Sequence, residues 1–222
     1  MPAWTCARTT EQARFVTRQQ QIDRIYKPIL FIVCLVPFLQ MAAGAFGIAG
    51  QTLGVNPVED ILHALGEWGL KFLVLTLLVT PLKDIVGKPW LLSFRRMLGL
   101  YAFFYVLMHF LVWLILDQQL YMAGIVKDIV KRPFITLGFV AFLMLIPLAV
   151  TSTNGMMRKL GRRWKKLHRL VYPIAILGVW HFYWLVKADV REPLTYAAIF
   201  TLLLGWRVWK ARQRRARTAS QG

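Results

Sequence analysis

The sequence predicts an all-α integral membrane protein, a six-transmembrane-helix bundle with both termini cytoplasmic. Hydrophobic residues make up 57% of the 222 residues and charged residues only 17%, a composition that excludes a water-soluble enzyme. The apolar residues form six stretches, each close to the roughly 20 residues that a helix needs to cross a bilayer. The basic residues are concentrated in alternate loops, which is the pattern of a chain that crosses a membrane several times.

The six spans lie between the charged residues of the chain. In order, they cover approximately residues 28–48, 64–82, 97–116, 133–157, 170–186 and 193–209. The first span lacks the short apolar core and the cleavage site of a signal peptide, so we expect the protein to retain it. The predicted organisation is a cytoplasmic segment over 1–27, one membrane domain over 28–209 and a basic cytoplasmic tail over 210–222. No internal repeat is evident.

The distribution of charge sets the predicted orientation. Outside four strongly basic segments, the chain holds only 6 of its 28 Lys and Arg residues but 7 of its 10 acidic residues. The other 22 basic residues lie in residues 1–27, 83–96, 158–169 and the tail after Trp206. The positive-inside rule places these four segments in the cytoplasm. The tail could also suggest nucleic acid, but a topology signal accounts for it, so we expect membrane lipids and no nucleic acid as partners.

The cysteines limit the kinds of metal site. Cys6 and Cys34 are far apart in the chain, and neither belongs to a C-x-x-C pair. The sequence therefore excludes a disulfide framework, a cysteine zinc site, an iron–sulfur cluster and a c-type haem. Any metal must be held by histidine.

Two of the four histidines, His109 and His181, lie inside predicted spans, where an ionisable side chain is costly and is a candidate for function. They follow Met97 and Leu170, at the cytoplasmic ends of their spans, by 12 and 11 positions. At 1.5 Å per residue, each lies about 17 Å from the inner end. Two neutral imidazoles at one depth on parallel helices can ligate one haem b iron from opposite faces. The alternative is that each only hydrogen-bonds a neighbouring helix.

A third histidine, His168, lies at the cytoplasmic start of the fifth span, 13 positions before His181. The positions 13 and 14 before His109 hold Arg96 and Arg95, which cannot ligate iron. Their guanidinium groups can bind a haem propionate or a flavin phosphate. His168 could hold a second, five-coordinate haem, line a quinone or flavin pocket, or face the lipid headgroups.

The fourth histidine, His63, lies just before the second span on the outer side. We expect a solvated loop residue there. The alternative is a polar group that helps a partner to dock near a haem.

Five long segments carry a resemblance to a known family. They are EWGLKFLVLTLLVTPL, RRMLGLYAFFYVLMH, KRPFITLGFVAFLMLIPLAVTS, LGRRWKKLHRLVYP and HFYWLVKADVREPLTYA, and together they cover most of residues 58–209 in order. In these segments the chain resembles the MsrQ family, the haem-binding membrane subunits of bacterial periplasmic methionine sulfoxide reductase systems. That family lies within the ferric-reductase-like transmembrane superfamily.

The resemblance implies a function in electron transport across the bacterial inner membrane. Electrons would come from the quinone pool or a cytoplasmic flavin reductase, and haem b and FMN are the implied cofactors. The acceptor would be a periplasmic molybdopterin-containing, MsrP-like subunit that reduces methionine sulfoxide in proteins. The family's haem ligands fall on His109, His168 and His181. Substrate chemistry is expected in the partner, so no catalytic residue is assigned to this chain.

Two departures from the wider ferric reductases matter. The third span keeps one histidine where those proteins have two, so the sequence leaves open whether one haem or two are bound. The chain also lacks their fused FAD and NADPH domain, so the electron donor must be separate. The flavin phosphate is expected among basic residues of the inner loops, Arg95, Arg96, Arg162 and Arg163.

Two other functions remain open at this stage. One is a cytochrome b quinol anchor of another respiratory complex. The other is a small proton-coupled transporter in which His109 and His181 form a proton relay. A haem absorbance spectrum distinguishes the transporter from both cytochromes.

The orientation can be tested with reporter fusions. Fusions after residues 56, 125 and 189 should report a periplasmic location, and fusions after residues 90, 160 and 215 a cytoplasmic one, because the basic segments are retained inside. A cytoplasmic signal from the fusion after residue 125 would contradict the predicted topology.

Overall fold

A computed structural model provides the structure, which describes residues 20–48, 54–186 and 189–219, without the side chains of residues 214 and 219. Every regular element in this part of the chain is helical, which confirms the all-α prediction. The chain divides into two compact units, Met1–Thr52 and Leu53–Gly222.

The first unit contains helix α1 (Lys27–Ala45), which continues directly from a π-helical turn at Ile22–Tyr26. Pro28 stands in its first turn, where the missing N–H of proline has no helical partner to lose. The stretch Ile22–Ala45 is long and apolar enough to cross a membrane. It coincides with the first predicted span.

The second unit begins with helix α2 (Pro57–Val86), which is 30 residues long. Proline at its first position and acidic side chains in its first turn favour the helix start. Gly87 ends it with a φ of 68°, a conformation that glycine adopts without strain. The predicted loop position of His63 is wrong, because α2 starts six residues before it. The side chain of His63 is nevertheless exposed.

The remaining elements are long helices separated by shorter helices and turns. Helix α3 (Leu92–Val112) is entered through a 3-10 turn at Pro89–Leu91 and extended by a π-helical turn at Trp113–Asp117. Next come α4 (Met122–Lys131), α5 (Pro133–Val150), α6 (Asn154–Leu160), α7 (Arg162–Leu167), a 3-10 turn at His168–Leu170, α8 (Val171–Leu185) and α9 (Arg191–Ala219).

Each of the six predicted spans overlaps a helix of the described residues, but the fourth, predicted over 133–157, ends at Val150 and is followed by the separate short helix α6. Three helical stretches are long and apolar enough to cross a membrane, Ile22–Ala45, Pro89–Asp117 and Pro133–Val150. A membrane location therefore follows from the structure as well as from the composition. The count of six spans and the cytoplasmic termini stay predictions.

Four helices surround the centre of the second unit. α2 packs antiparallel to α3, α5 packs antiparallel to α8, and α9 lies against α8 and α2. Between α2 and α3, the ring of Phe72 stacks on Tyr101 and Tyr105 at centroid distances of 5.4 and 5.1 Å. Tyr105 is completely buried. This packing fixes the relative positions of the helices that carry the histidines.

We call the end of this unit that is formed by residues 83–96, residues 158–169 and the last turns of α9 the basic end. The end formed by residues 54–63, 117–133 and 189–191 is the opposite end.

Candidate functional site

His109 projects from α3 toward α2. Its Nδ1 atom lies 2.9 Å from the backbone carbonyl oxygen of Leu62. One turn further along α2 is Gly66, and a Cβ atom at this position would lie 3.3 Å from the same nitrogen. The missing side chain of Gly66 therefore lets the imidazole approach the backbone of α2 closely.

His181 on α8 is held in the same way by α5. Its Nδ1 atom lies 2.7 Å from the carbonyl oxygen of Phe134. A Cβ atom on Gly138 would lie 2.8 Å from Nδ1 and 2.9 Å from Cε1 of the ring. Gly138 is thus required for the position of this imidazole.

The two half-sites have the same spacing in the chain. Each histidine follows the residue that supplies its carbonyl acceptor by 47 positions. Leu62 and Phe134, Gly66 and Gly138, and the two histidines are all 72 positions apart. Sequence analysis detected no repeat and missed these four supporting residues. The signal that could have found them is a glycine four residues after the acceptor, repeated at the histidine spacing.

The two imidazoles face each other across the bundle. Their ring centroids are 6.2 Å apart and their planes are inclined at 86°. Because a carbonyl oxygen can only accept a hydrogen bond, each Nδ1 is the donor and the neutral ring keeps a free lone pair on Nε2. Half the centroid separation, 3.1 Å, equals a metal–nitrogen bond of about 2 Å plus about 1 Å from nitrogen to ring centre.

The interhelical hydrogen bonds that sequence analysis offered as the alternative to haem ligation are therefore present. They use only one nitrogen of each ring. Bonds of this kind orient metal-ligating histidines and raise their basicity, so they support ligation instead of replacing it.

The histidine pair borders a cavity of about 390 Å³ between α2, α3, α5 and α8. Its volume lies within the roughly 300–1,000 Å³ of small-molecule and cofactor sites. Most of the lining is apolar. The charged or ionisable lining residues lie toward the opposite end and are Glu59, His63, Glu67, Asp117 and Arg132.

The number of possible ligands at the site favours a haem iron over a free metal ion. In the described part of the chain, no group of three or more His, Cys, Asp or Glu side chains could hold a metal ion. Two histidines alone do not complete the coordination of a free cation such as zinc. They do suit an iron that already has four porphyrin ligands and needs only two axial ones. The residues present therefore fit a haem b with two histidine ligands.

His168 is placed elsewhere, at the basic end, and is not among the residues that line the cavity. Its ring stacks on Trp164 at a centroid distance of 3.8 Å, and its Nδ1 atom lies 3.1 Å from the Trp164 carbonyl oxygen. The indole of Trp164 in turn donates to the Thr151 carbonyl at 2.9 Å. Burial lowers the pKa of His168 and so favours the neutral ring.

The structure separates the two predicted anion-binding arginines. Arg96 is exposed, and its Nη1 atom donates to the side-chain oxygen of Asn154 and approaches the sulfur of Met157 at 3.4 Å. Arg95 is half-buried. The two side chains therefore differ in burial, and only Arg95 is shielded in part from the surroundings.

Comparisons with known proteins agree with this geometry. The family model of the ferric reductase like transmembrane component matches residues 65–179. The chain is 54% identical over 169 residues to a protein-methionine-sulfoxide reductase heme-binding subunit MsrQ of Xanthomonas campestris, with 76% of this chain and 78% of that one covered. The subunit of the same name from Ralstonia nicotianae is 49% identical over 191 residues, with 84% and 86% covered. No solved structure matches the chain.

The glycines provide a test of the site. Gly138→Ala would place a methyl group 2.8 Å from Nδ1 of His181, so the ring must move and its bond to Phe134 must weaken. We expect haem affinity to fall by about 10- to 100-fold, as when an orienting partner of a metal ligand is lost. Titration of haem into the apoprotein, followed by absorbance, measures it.

Gly205→Ala on α9 is the matched control, because its methyl group would meet no atom within 4 Å. Its haem affinity should equal that of the unsubstituted protein. Unchanged affinity in Gly138→Ala would show that the imidazole position described above is not the one that binds haem.

Proposed function

Because the chain belongs to the MsrQ family of haem-binding subunits, within the ferric reductase like transmembrane family, we propose that it carries electrons across the bacterial inner membrane. The proposed acceptor is a periplasmic, molybdopterin-containing subunit that reduces methionine sulfoxide in proteins. The observation that carries the proposal is the pair His109 and His181, whose ring centroids lie 6.2 Å apart and whose Nδ1 atoms each face a backbone carbonyl.

A haem b between these histidines would supply one-electron oxidation and reduction inside the bundle. The protein's own contribution would be to hold the haem ligands in position and to keep water away from the haem. The carbonyls of Leu62 and Phe134 fix both rings in the tautomer that ligates through Nε2. The apolar lining of the cavity excludes water and lowers the local dielectric constant, and both effects tune a redox potential.

The electron donor is proposed to act at the basic end. A quinol or a cytoplasmic flavin reductase is the proposed donor, and FMN the proposed second cofactor. His168 supports this assignment, because its buried Nε2 atom has no hydrogen-bond partner among the described residues. We propose two alternative roles for His168. If it ligates a second haem, the chain binds two haems; if it contacts the electron donor, the chain binds one.

Substitution of the histidines tests the proposal. His109→Ala and His181→Ala should each remove the low-spin b-type absorbance or convert it to high spin, because each removes one axial ligand. Repair of periplasmic methionine sulfoxide in cells should fall with the spectrum. His168→Ala should keep this spectrum, and either lose a second haem or slow reduction by the donor.

Gly205→Ala serves as the control, since a methyl group at this position would meet no atom within 4 Å. Its spectrum should be that of the unsubstituted protein. A complete low-spin spectrum in His109→Ala would refute the pairing. Intact periplasmic repair in cells that lack this chain, with no other donor present, would refute the assigned role.

A further inference from the structure

Helix α4, at the opposite end, carries an apolar stripe that the described part of the chain leaves uncovered. Met122, Val126 and Val130 follow one another at intervals of four residues, and all three are exposed. Ala123, between the first two, is also exposed. On an ideal helix these four positions cover about 100° of the circumference, so they form one continuous surface. We call these four residues the apolar stripe.

The face of α4 that turns toward the protein is different. Ile125 is buried, and the hydroxyl of Thr136 on α5 donates to the carbonyl oxygen of Ile129. The carboxylate of Asp128 forms an ion pair with Arg132 at 3.4 Å. These contacts hold α4 against the start of α5 and fix which side of the helix faces outward. The apolar stripe is therefore an outward surface that packing within the second unit does not use.

The position of α4 in the chain limits what can lie against the stripe. The helix lies between two stretches that are each long and apolar enough to cross a membrane, Pro89–Asp117 and Pro133–Val150. At 1.5 Å per residue its ten residues extend only about 15 Å, too short to cross a bilayer. Because both neighbours cross the membrane, both ends of α4 lie at the membrane boundary. Lipid is therefore adjacent to the helix.

Two lysines border the apolar stripe. Lys127 and Lys131 are exposed, and neither forms an ion pair with a carboxylate within the described ranges. A lysine at a membrane boundary lies with its apolar stem along the acyl chains and its ammonium group at the lipid headgroups. An apolar stripe beside a basic one is the pattern of a helix that lies in the plane of the membrane interface.

The size of the stripe also favours lipid over a protein partner. A stable protein interface takes roughly 20–30 residues from each side. The stripe offers four side chains, none of them aromatic. Aromatic residues and arginine are the residue types that dominate binding at protein interfaces.

We propose that α4 lies in the membrane–water interface at the opposite end, with its apolar stripe among the acyl chains of phospholipids. Lys127 and Lys131 contact the phosphate groups of the same lipid layer. Asp117 and Arg132, which precede and follow α4, both line the cavity of the histidine pair. By anchoring α4, the lipid holds this rim of the cavity at the membrane surface, where a soluble protein can approach it. The proposal does not depend on the proposed electron transport.

The test measures the reactivity of single cysteines in the full chain, with Cys6→Ser and Cys34→Ser as the background. Each variant is placed in nanodiscs of phosphatidylethanolamine and phosphatidylglycerol, with one chain per disc, so that a charged maleimide reaches both membrane faces. Val126→Cys and Val130→Cys should react at least about tenfold more slowly than Val55→Cys, because the reaction needs the thiolate, which apolar surroundings disfavour.

Val55→Cys is the matched control, because Val55 is an exposed valine at the same end and lies outside any helix. Circular dichroism verifies that each variant keeps its helix content. Reaction of both stripe cysteines as fast as Val55→Cys would overturn the proposal, because the stripe would then face water.

A second measurement identifies what covers the stripe. Val126→Cys is labelled with a benzophenone maleimide in the same nanodiscs and irradiated with ultraviolet light, and the products are analysed by mass spectrometry. An adduct of the chain with one phospholipid supports the proposal. A cross-link only to another segment of the chain overturns it, because protein and not lipid would then cover α4.

Discussion

The hydrogen bond from an imidazole Nδ1 to a backbone carbonyl of the neighbouring helix is the interaction on which the site depends. It occurs twice, from His109 to Leu62 and from His181 to Phe134. In each case it fixes the tautomer, aims Nε2 into the bundle and joins two antiparallel helices. In a bilayer these bonds have no competition from water, so they can hold the rings before any metal arrives. This arrangement requires Gly66 and Gly138 beside the rings, because a Cβ atom at either position would crowd the neighbouring imidazole.

The two ends of the second unit are built differently, and this asymmetry fits a protein that transports electrons. The cavity of the histidine pair is apolar, with carboxylates, one arginine and His63 toward the opposite end. Among the described residues, the buried side-chain nitrogens without a hydrogen-bond partner belong instead to Trp90, His168, Trp206 and Arg207, on the segments of the basic end. In the proposed function, the chain would hold the haem between its helices and would contact separate proteins at its two ends.

The sequence identified His109 and His181 as candidate axial ligands, because intramembrane histidines are rare and their depth can be counted. It could not predict the carbonyl acceptors, because a backbone group leaves no mark in the sequence and Gly66 and Gly138 resemble other small residues of membrane helices. His63 was placed in a loop because the acidic first turn of α2 lowers the local hydropathy, although Pro57 indicates a helix start. The inward orientation of Arg207 depends on the packing of α9 against α2 and α8, which charge counting cannot reveal.

The most direct measurement is the electron paramagnetic resonance spectrum of the oxidised, unsubstituted protein with its haem. Two axial imidazoles make ferric haem low-spin, whereas a single axial histidine leaves it high-spin. With ring planes inclined at 86°, the account predicts a strongly axial low-spin signal, because perpendicular imidazoles do not favour either direction in the haem plane. A spectrum that contains only high-spin haem would contradict the claim that His109 and His181 share one iron.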